Sequence, residues 1–107
     1  MKYAIVMASI DTEENAKNIA NLLLEKKLAA CIQLFPITSY YIWQGKKETA
    51  KEILMLIKTQ KKYYSRIENL IRNNHPYEIP EILLIPVDKA FPLYGKWIDN
   101  TLKGKNV

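Results

Sequence analysis

The chain has 107 residues, of which 49% are hydrophobic and 25% charged, and its formal net charge is +5. That length favours one domain over residues 1–107, and that composition excludes a globally disordered chain. The single cysteine, Cys31, excludes an internal disulfide, and no apolar run approaches the roughly 18 residues of a membrane span. We therefore expect a folded cytoplasmic protein without a membrane partner.

The first half of the chain predicts a strand, a helix and a second, longer strand. Residues 3–9 form a β-favourable apolar run, and Asp11 with Glu14 has the spacing of a capping box that opens a helix. The apolar face of that helix is Ala16, Ile19, Ala20 and Leu23. Residues 29–43 then predict a long strand, which Pro36 is expected to bend or bulge.

The second half predicts a return strand, a helix, another strand and a last helix. The Trp-Gln-Gly-Lys sequence at residues 43–46 indicates a tight turn, after which residues 48–59 return as a strand. A helix over residues 61–74 ends before Pro76, and the apolar run at residues 82–87 is typical of a central strand. Pro92 then opens the last helix.

The order of these elements predicts the fold class. Two β-α-β halves joined by a hairpin form an α+β, ferredoxin-like βαββαβ sandwich, with four antiparallel strands and two helices on one face. Here the sandwich would carry a long β-hairpin and an extra C-terminal helix.

The predicted hairpin is longer than the body that carries it. A chain of this length forms a body about 34 Å across, whereas a strand of about 14 residues reaches about 46 Å. The overhanging part carries Tyr40, Tyr41, Ile42 and Trp43. An exposed aromatic strand favours self-association. The alternative is that Pro36 folds the hairpin back over the chain's own core.

Five segments resemble the CutA family of divalent-cation tolerance proteins, in the same order and with the same spacing. They are Ala-Ala-Cys-Ile at residues 29–32, Ser-Tyr-Tyr-Ile-Trp-Gln-Gly-Lys at 39–46, Ile-Lys-Thr at 57–59, His-Pro-Tyr-Glu-Ile-Pro-Glu-Ile at 75–82 and Tyr-Gly-Lys-Trp-Ile at 94–98. The resemblance implies a ferredoxin-like fold and a homotrimer in which hairpin strands extend a neighbour's sheet. It also implies a non-catalytic role in tolerance of divalent metals, with copper as a candidate ion.

The resemblance also bears on how strongly a metal would bind. Members with stronger metal binding carry a cysteine on the first strand and a second histidine, where this chain has Ala8 and Asn74. The metal candidates that remain are His75 and Glu78, which predict weak binding of copper or another divalent cation. The alternative for His75 is a hydrogen-bonded element of its turn.

A cleft between subunits could bind a small ligand. Aromatic walls with a few charged groups are the usual makeup of such a site. The candidate cleft residues are Cys31, Tyr41, Trp43, Lys58, Tyr77 and Glu78. Trimer packing is the alternative role for them. Cys31 is also expected to serve as a buried small hydrophobe, and a nucleophilic pair of Cys31 with His75 is an alternative.

The residues also bear on three other functions. The trimer plan resembles that of PII signalling proteins, which makes ligand sensing an alternative. An acylphosphatase-like enzyme needs an arginine in a phosphate-binding loop, but Arg66 and Arg72 lie in a predicted helix. An RNA binder needs paired aromatic residues on the central strands, which here offer only Tyr3. We therefore expect no nucleic-acid partner.

Overall fold

A computed structural model describes residues 1–105, and Asn106 and Val107 lie outside the described residues. The strands are β1 (Tyr3–Ile10), β2 (Cys31–Trp43), β3 (Lys46–Gln60) and β4 (Ile82–Pro86). The helices are α1 (Glu13–Glu25), α2 (Tyr64–Asn74), preceded by a 3-10 turn at Lys61–Tyr63, and α3 (Pro92–Leu102). The sheet has the antiparallel order β2-β3-β1-β4. This confirms the predicted α+β, ferredoxin-like arrangement.

The main core lies between one face of the sheet and helices α1 and α2. Successive side chains of a strand point to opposite faces. In β1, the buried side chains that face this core are Val6, Ala8 and Ile10. α1 contributes Ala16, Ile19 and Leu23, and α2 contributes Ile67, Leu70 and Ile71. The predicted apolar face of the first helix is therefore confirmed at three of its four positions, since Ala20 is only partly buried.

The capping residue of α1 differs from the prediction. The N-cap is Thr12, whose Oγ1 accepts a hydrogen bond from the Asn15 backbone N–H at 3.1 Å. Asp11 instead accepts from the Asn15 side chain at 2.9 Å. The Asp11–Glu14 capping box was therefore wrong by one residue, because both Asp11 and Thr12 are good capping residues and spacing alone does not choose between them.

The hairpin of β2 and β3 is regular along its whole length. The paired residues run without interruption from Cys31 opposite Lys58 to Trp43 opposite Lys46, and Pro36 lies opposite Ile53 in this register. A break or bulge of the ladder at Pro36 is therefore wrong. β2 is an edge strand, where a residue without a backbone N–H can be accommodated without losing a ladder hydrogen bond.

β4 also departs from the prediction. Its apolar sequence was expected in the centre of the sheet, but β4 pairs only with β1 and forms the second edge. Leu83 is 51% exposed and Ile85 is 41% exposed. The apolar run therefore predicted a strand correctly but its central, buried position wrongly, because an edge strand has only one neighbour in the sheet.

α3 packs across the base of the sheet face opposite α1 and α2. Asp99 Oδ2 accepts hydrogen bonds from Lys2 Nζ at 3.0 Å and Tyr3 Oη at 2.9 Å, and Oδ1 accepts from Gln60 Nε2 at 2.6 Å. A Cβ on Gly95 would lie 2.8 Å from the Tyr3 hydroxyl oxygen, so only glycine lets the helix approach this closely. The extra helix is thus fixed to both β1 and β3.

The hairpin makes the molecule elongated, with principal extents of 47 × 26 × 23 Å. At its distal end, Tyr40 is 80% exposed and Ile42 is 64% exposed. The alternative in which Pro36 folds these residues back over the core is excluded. Among the described residues, no helix combines the length and apolar character that crossing a membrane requires.

Candidate ligand-binding groove

A groove of about 600 Å³ lies where the distal hairpin meets the segment after α2. A volume of this size is typical of small-ligand sites. Its lining includes three carboxylates, namely Glu52, Glu78 and Glu81, and four aromatic residues, namely Tyr40, Tyr41, Trp43 and Tyr77. Ser9, Ser39 and Ile79 complete it. No lysine or arginine lines the groove within residues 1–105.

Strand alternation explains why these residues meet. Glu52 on β3 lies opposite Ile37 on β2, and Tyr41 lies opposite Glu48 further along the same ladder. Because every second side chain of a strand points to the same face, Ser39, Tyr41 and Trp43 lie on the sheet face that carries Glu52. Ser9 on β1 lies on that face too. The groove therefore opens on the face opposite α1 and α2, beyond the part that α3 covers.

Glu52 and Tyr77 form the polar centre of the groove. Tyr77 Oη donates to Glu52 Oε2 at 2.9 Å, and Glu52 is only 7% exposed although it belongs to the hairpin. Burial, and then this hydrogen bond to Glu52, raise the pKa of Tyr77 well above its usual value. Tyr77 therefore acts as a hydrogen-bond donor that holds the Glu52 carboxylate in place.

His75 fixes the segment that carries Tyr77. Its Nδ1 accepts from the Tyr77 backbone N–H at 3.1 Å, so the ring proton is assigned to Nε2, which lies 2.7 Å from the Ser9 carbonyl oxygen. The rings of His75 and Tyr77 are 4.8 Å apart between centroids. Both nitrogens of His75 are thus engaged, and a metal ion would have to displace one of these hydrogen bonds.

The residues of one copy do not gather around a metal ion. Among the described residues, no group of three or more histidine, cysteine, aspartate or glutamate side chains could hold one. The predicted pair His75 and Glu78 stays a prediction, and a tight site would need donors from outside a single copy.

A second cluster lies at the base of the hairpin. Cys31 lies opposite Lys58 across the ladder, and Lys58 Nζ is 6.0 Å from the centroid of the Tyr94 ring on α3. Burial, and then the neighbouring Cys31 thiol, raise the pKa of Tyr94. Cys31 is only partly buried, and its neighbour across the strands is a cation that sequence spacing did not place there.

The structure divides the predicted cleft residues into two groups. Tyr41, Trp43, Tyr77 and Glu78 line the groove together. Cys31 and Lys58 lie toward the other end of the hairpin, six residues or about 20 Å along the strands from the pair Ile37 and Glu52. Within one copy, neither of these two residues lines the groove.

Sequence reasoning missed Glu52, Glu81 and Ser9. Glu52 stands directly before the apolar run of β3 and shares a face with Leu54, so a charged residue at that position was a signal of an unusual environment. Ser9 Oγ lies 3.4 Å from Glu81 Oε1, a contact between residues 72 positions apart. Such a contact requires the fold and has no local sequence signal.

Comparison with known proteins places the whole fold in one family. The family model described as "CutA1 divalent ion tolerance protein" matches residues 4–101. A protein named divalent-cation tolerance protein CutA from Archaeoglobus fulgidus is 40% identical over 90 residues, which cover 84% of this chain and 88% of that protein. Mouse Protein CutA is 45% identical over 87 residues, but the match spans only 49% of its length.

Solved structures agree with these matches. The structure of an Archaeoglobus fulgidus CutA, described as a periplasmic divalent cation tolerance protein, has a TM-score of 0.92 at 36% identity and covers 94% of this chain and 98% of that one. The Thermus thermophilus divalent cation tolerance protein has a TM-score of 0.87 at 34% identity, covering 90% of this chain and 94% of that one.

Proposed function

The chain belongs to the CutA1 divalent ion tolerance family, and from this premise we propose that it works as a homotrimer that binds a divalent cation or a small ligand in clefts between its subunits. The names of the relatives describe tolerance proteins and not enzymes, and we propose a binding role without catalysis. The cytoplasm is the proposed location, which the single cysteine supports, although one relative is described as periplasmic.

The observation that carries the assembly is the distal hairpin. It extends beyond the body of the molecule with Tyr40 80% and Ile42 64% exposed, and β2 presents an open edge along its length. β4 is a second open edge of different sequence, with Leu83 and Ile85 exposed beside it. Contacts between two different edges are head-to-tail, and head-to-tail contacts form a ring when the rotation between neighbouring copies closes. Family resemblance sets the proposed number at three.

The groove supports the proposed ligand site. Its walls combine the exposed distal hairpin with the segment from Tyr77 to Glu81, so a neighbour that covers the hairpin would turn the open groove into a cleft between subunits. Across such an interface, Cys31 and Lys58 of one copy could approach the groove of another, which would reunite the predicted cleft residues.

Metal binding is proposed to be weak. His75 is the one histidine of the chain, and both of its nitrogens are hydrogen-bonded. Copper or another divalent cation would therefore compete with bonds that hold the turn. The aromatic groove favours a second candidate function, sensing of an organic ligand as in PII-like proteins.

Native mass spectrometry, with and without copper(II), tests the proposed function because it reports subunit number and bound mass together. We expect a complex of three 12.5 kDa chains, to which copper adds only at concentrations above the protein's own. A single-chain mass in all samples would contradict the proposed assembly. A stoichiometric copper ion that survives dilution would contradict weak metal binding.

A further inference from the structure

Within one copy, the groove contains a largely buried carboxylate that has no counter-ion among residues 1–105. Glu52 is 7% exposed and lines the groove, yet the ion pairs among residues 1–105 are Lys2–Asp99 and Lys17–Glu13. Its Oε2 accepts from Tyr77, while its Oε1 has no such partner among residues 1–105 and stays accessible, since no fully buried side-chain oxygen in those residues lacks a hydrogen bond. Charges shielded from water in proteins are normally paired, because an unpaired one loses favourable solvation.

The rest of the groove has the same sign of charge. Glu78 and Glu81 also line it, while the chain as a whole carries a net charge of +5 and 16 lysine and arginine residues. None of those 16 lines the groove. A basic chain that keeps its cations out of one groove presents a local negative potential there, which attracts a cation.

The side chains of the groove are better suited to an organic cation than to a metal ion. A small metal ion needs several oxygen ligands within one coordination sphere, and no group of three such side chains is present in the described residues. The groove instead holds four aromatic rings, including Tyr41 and Trp43, and its volume is about 600 Å³. Aromatic faces attract organic ammonium ions strongly and gain most when the ion is desolvated.

We propose that the groove binds an organic ammonium ion, whose charge is neutralised by Glu52 and whose alkyl groups lie against Tyr41, Trp43 and Tyr77. The inference rests on the proposed small-ligand function of the groove and specifies the chemical class of the ligand.

The test compares a cation with a neutral molecule of the same shape. Choline and 3,3-dimethyl-1-butanol differ by one charged nitrogen in place of a carbon, so the difference in their affinities isolates the charge. Isothermal titration of the full chain is expected to give choline at least about tenfold tighter binding than the neutral alcohol. Binding of choline should also weaken with added salt.

Two variants locate the site. Glu52→Gln keeps the shape and the acceptor for Tyr77 but removes the charge, and it is expected to weaken choline binding about tenfold while leaving the alcohol unchanged. Glu68→Gln is the matched control, because Glu68 also accepts from a tyrosine, Tyr64 Oη at 2.8 Å, but lies on α2 outside the groove. If Glu52→Gln does not fold, Tyr41→Leu at the 44% exposed Tyr41 tests the aromatic wall instead.

The outcomes separate this inference from the proposed assembly. Each sample is weighed by native mass spectrometry in the titration buffer. If the protein is a trimer that binds choline and the alcohol equally, or binds neither, the proposed organic-cation site is overturned and the proposed assembly stands. The same result is expected if a neighbour's lysine already occupies the groove. A monomer overturns the assembly, and its choline titration still decides the inference because the groove belongs to one chain.

Discussion

Asp99 shows how a single residue connects the extra helix to the sheet. Burial alone would raise the pKa of Asp99, but hydrogen bonds from Lys2, Tyr3 and Gln60 outweigh it and lower the pKa below 3.8. A lowered pKa stabilises the fold at pH values above 3.8, and that contribution is lost as the pH falls through the folded-state value.

We therefore expect Asp99→Asn to lower the free energy of unfolding by about 1–3 kcal/mol at pH 7, since it weakens hydrogen bonds to a charged group. Unfolding by urea at fixed protein concentration between pH 7 and pH 3 measures this. The difference between parent and variant should shrink below pH 4, where the parent loses the same contribution. Asp88→Asn, in an exposed loop, is the control, and an equal loss in both variants would show that Asp99 does not anchor α3.

His75 determines the expected response to copper. Because copper must displace either the Tyr77 N–H or the Ser9 carbonyl from the imidazole, we expect affinity weaker than micromolar and dependence on His75. Titration with copper(II) of the parent, His75→Ala and His75→Gln tests this, with thermal melting as a check of the fold. Unchanged affinity in both variants would move the site to other residues, and submicromolar affinity in the parent would show that assembly gathers further ligands.

Individual site residues could be predicted only where their neighbours are close in sequence. The aromatic and acidic residues around the hairpin tip and the His-Pro-Tyr-Glu segment were predicted, and Tyr41, Trp43, Tyr77 and Glu78 do line one groove. Glu52 was missed because its partner Tyr77 lies 25 residues away. Cys31 and Lys58 were assigned to the same cleft, but the register of the hairpin places them at its far end.

Among the elements, the hairpin turn depends most directly on its sequence. Gln44 has φ 50° and Gly45 has φ 79°, so both central residues lie in the left-handed region. Two-residue turns with both φ values positive match the twist of the flanking strands, and the second position favours glycine. A side chain at Gly45 would meet no atom within 4 Å, so its conformation alone requires glycine.

Gly45→Ala is therefore expected to lower the free energy of unfolding by about 1–2 kcal/mol, the cost of a left-handed conformation for a residue with a Cβ. Gln44→Asn should have the opposite sign, because asparagine tolerates this conformation better than glutamine. Urea unfolding at one protein concentration compares the three proteins. If Gly45→Ala is neutral, the turn does not limit the stability of the hairpin.

The order and type of the elements followed from the sequence because apolar periodicity and punctuation by glycine and proline are local signals. The position of β4 did not, since an apolar strand at an edge and one in the centre have the same pattern. Pro36 was misjudged for the same reason: whether it disrupts the ladder depends on β2 being an edge strand.

For the molecule as a whole, the exposed hairpin and the two open edges point to assembly. Trp43→Ala is expected to loosen the trimer more than it destabilises the isolated fold, because Trp43 is 39% exposed in one copy and should be buried by a neighbour. Truncating a buried aromatic side chain costs about 3–5 kcal/mol. Sedimentation equilibrium gives the dissociation constant, and circular dichroism at low concentration follows the fold.

Trp97→Ala is the matched control for this change. Trp97 stacks on Tyr94 within the same chain, with ring centroids 5.6 Å apart, so its loss should destabilise α3 and affect assembly less. If the Trp43 variant assembles as tightly as the parent, the hairpin tip is not an interface anchor.

The measurement that tests the central claim most directly is the mass of the protein in solution. Light scattering at micromolar concentration is expected to give three times the 12.5 kDa of one chain, because the distal hairpin and the edge of β4 are then covered by neighbours. A mass of one chain at that concentration would contradict the account, since it would leave the exposed aromatic hairpin without a partner.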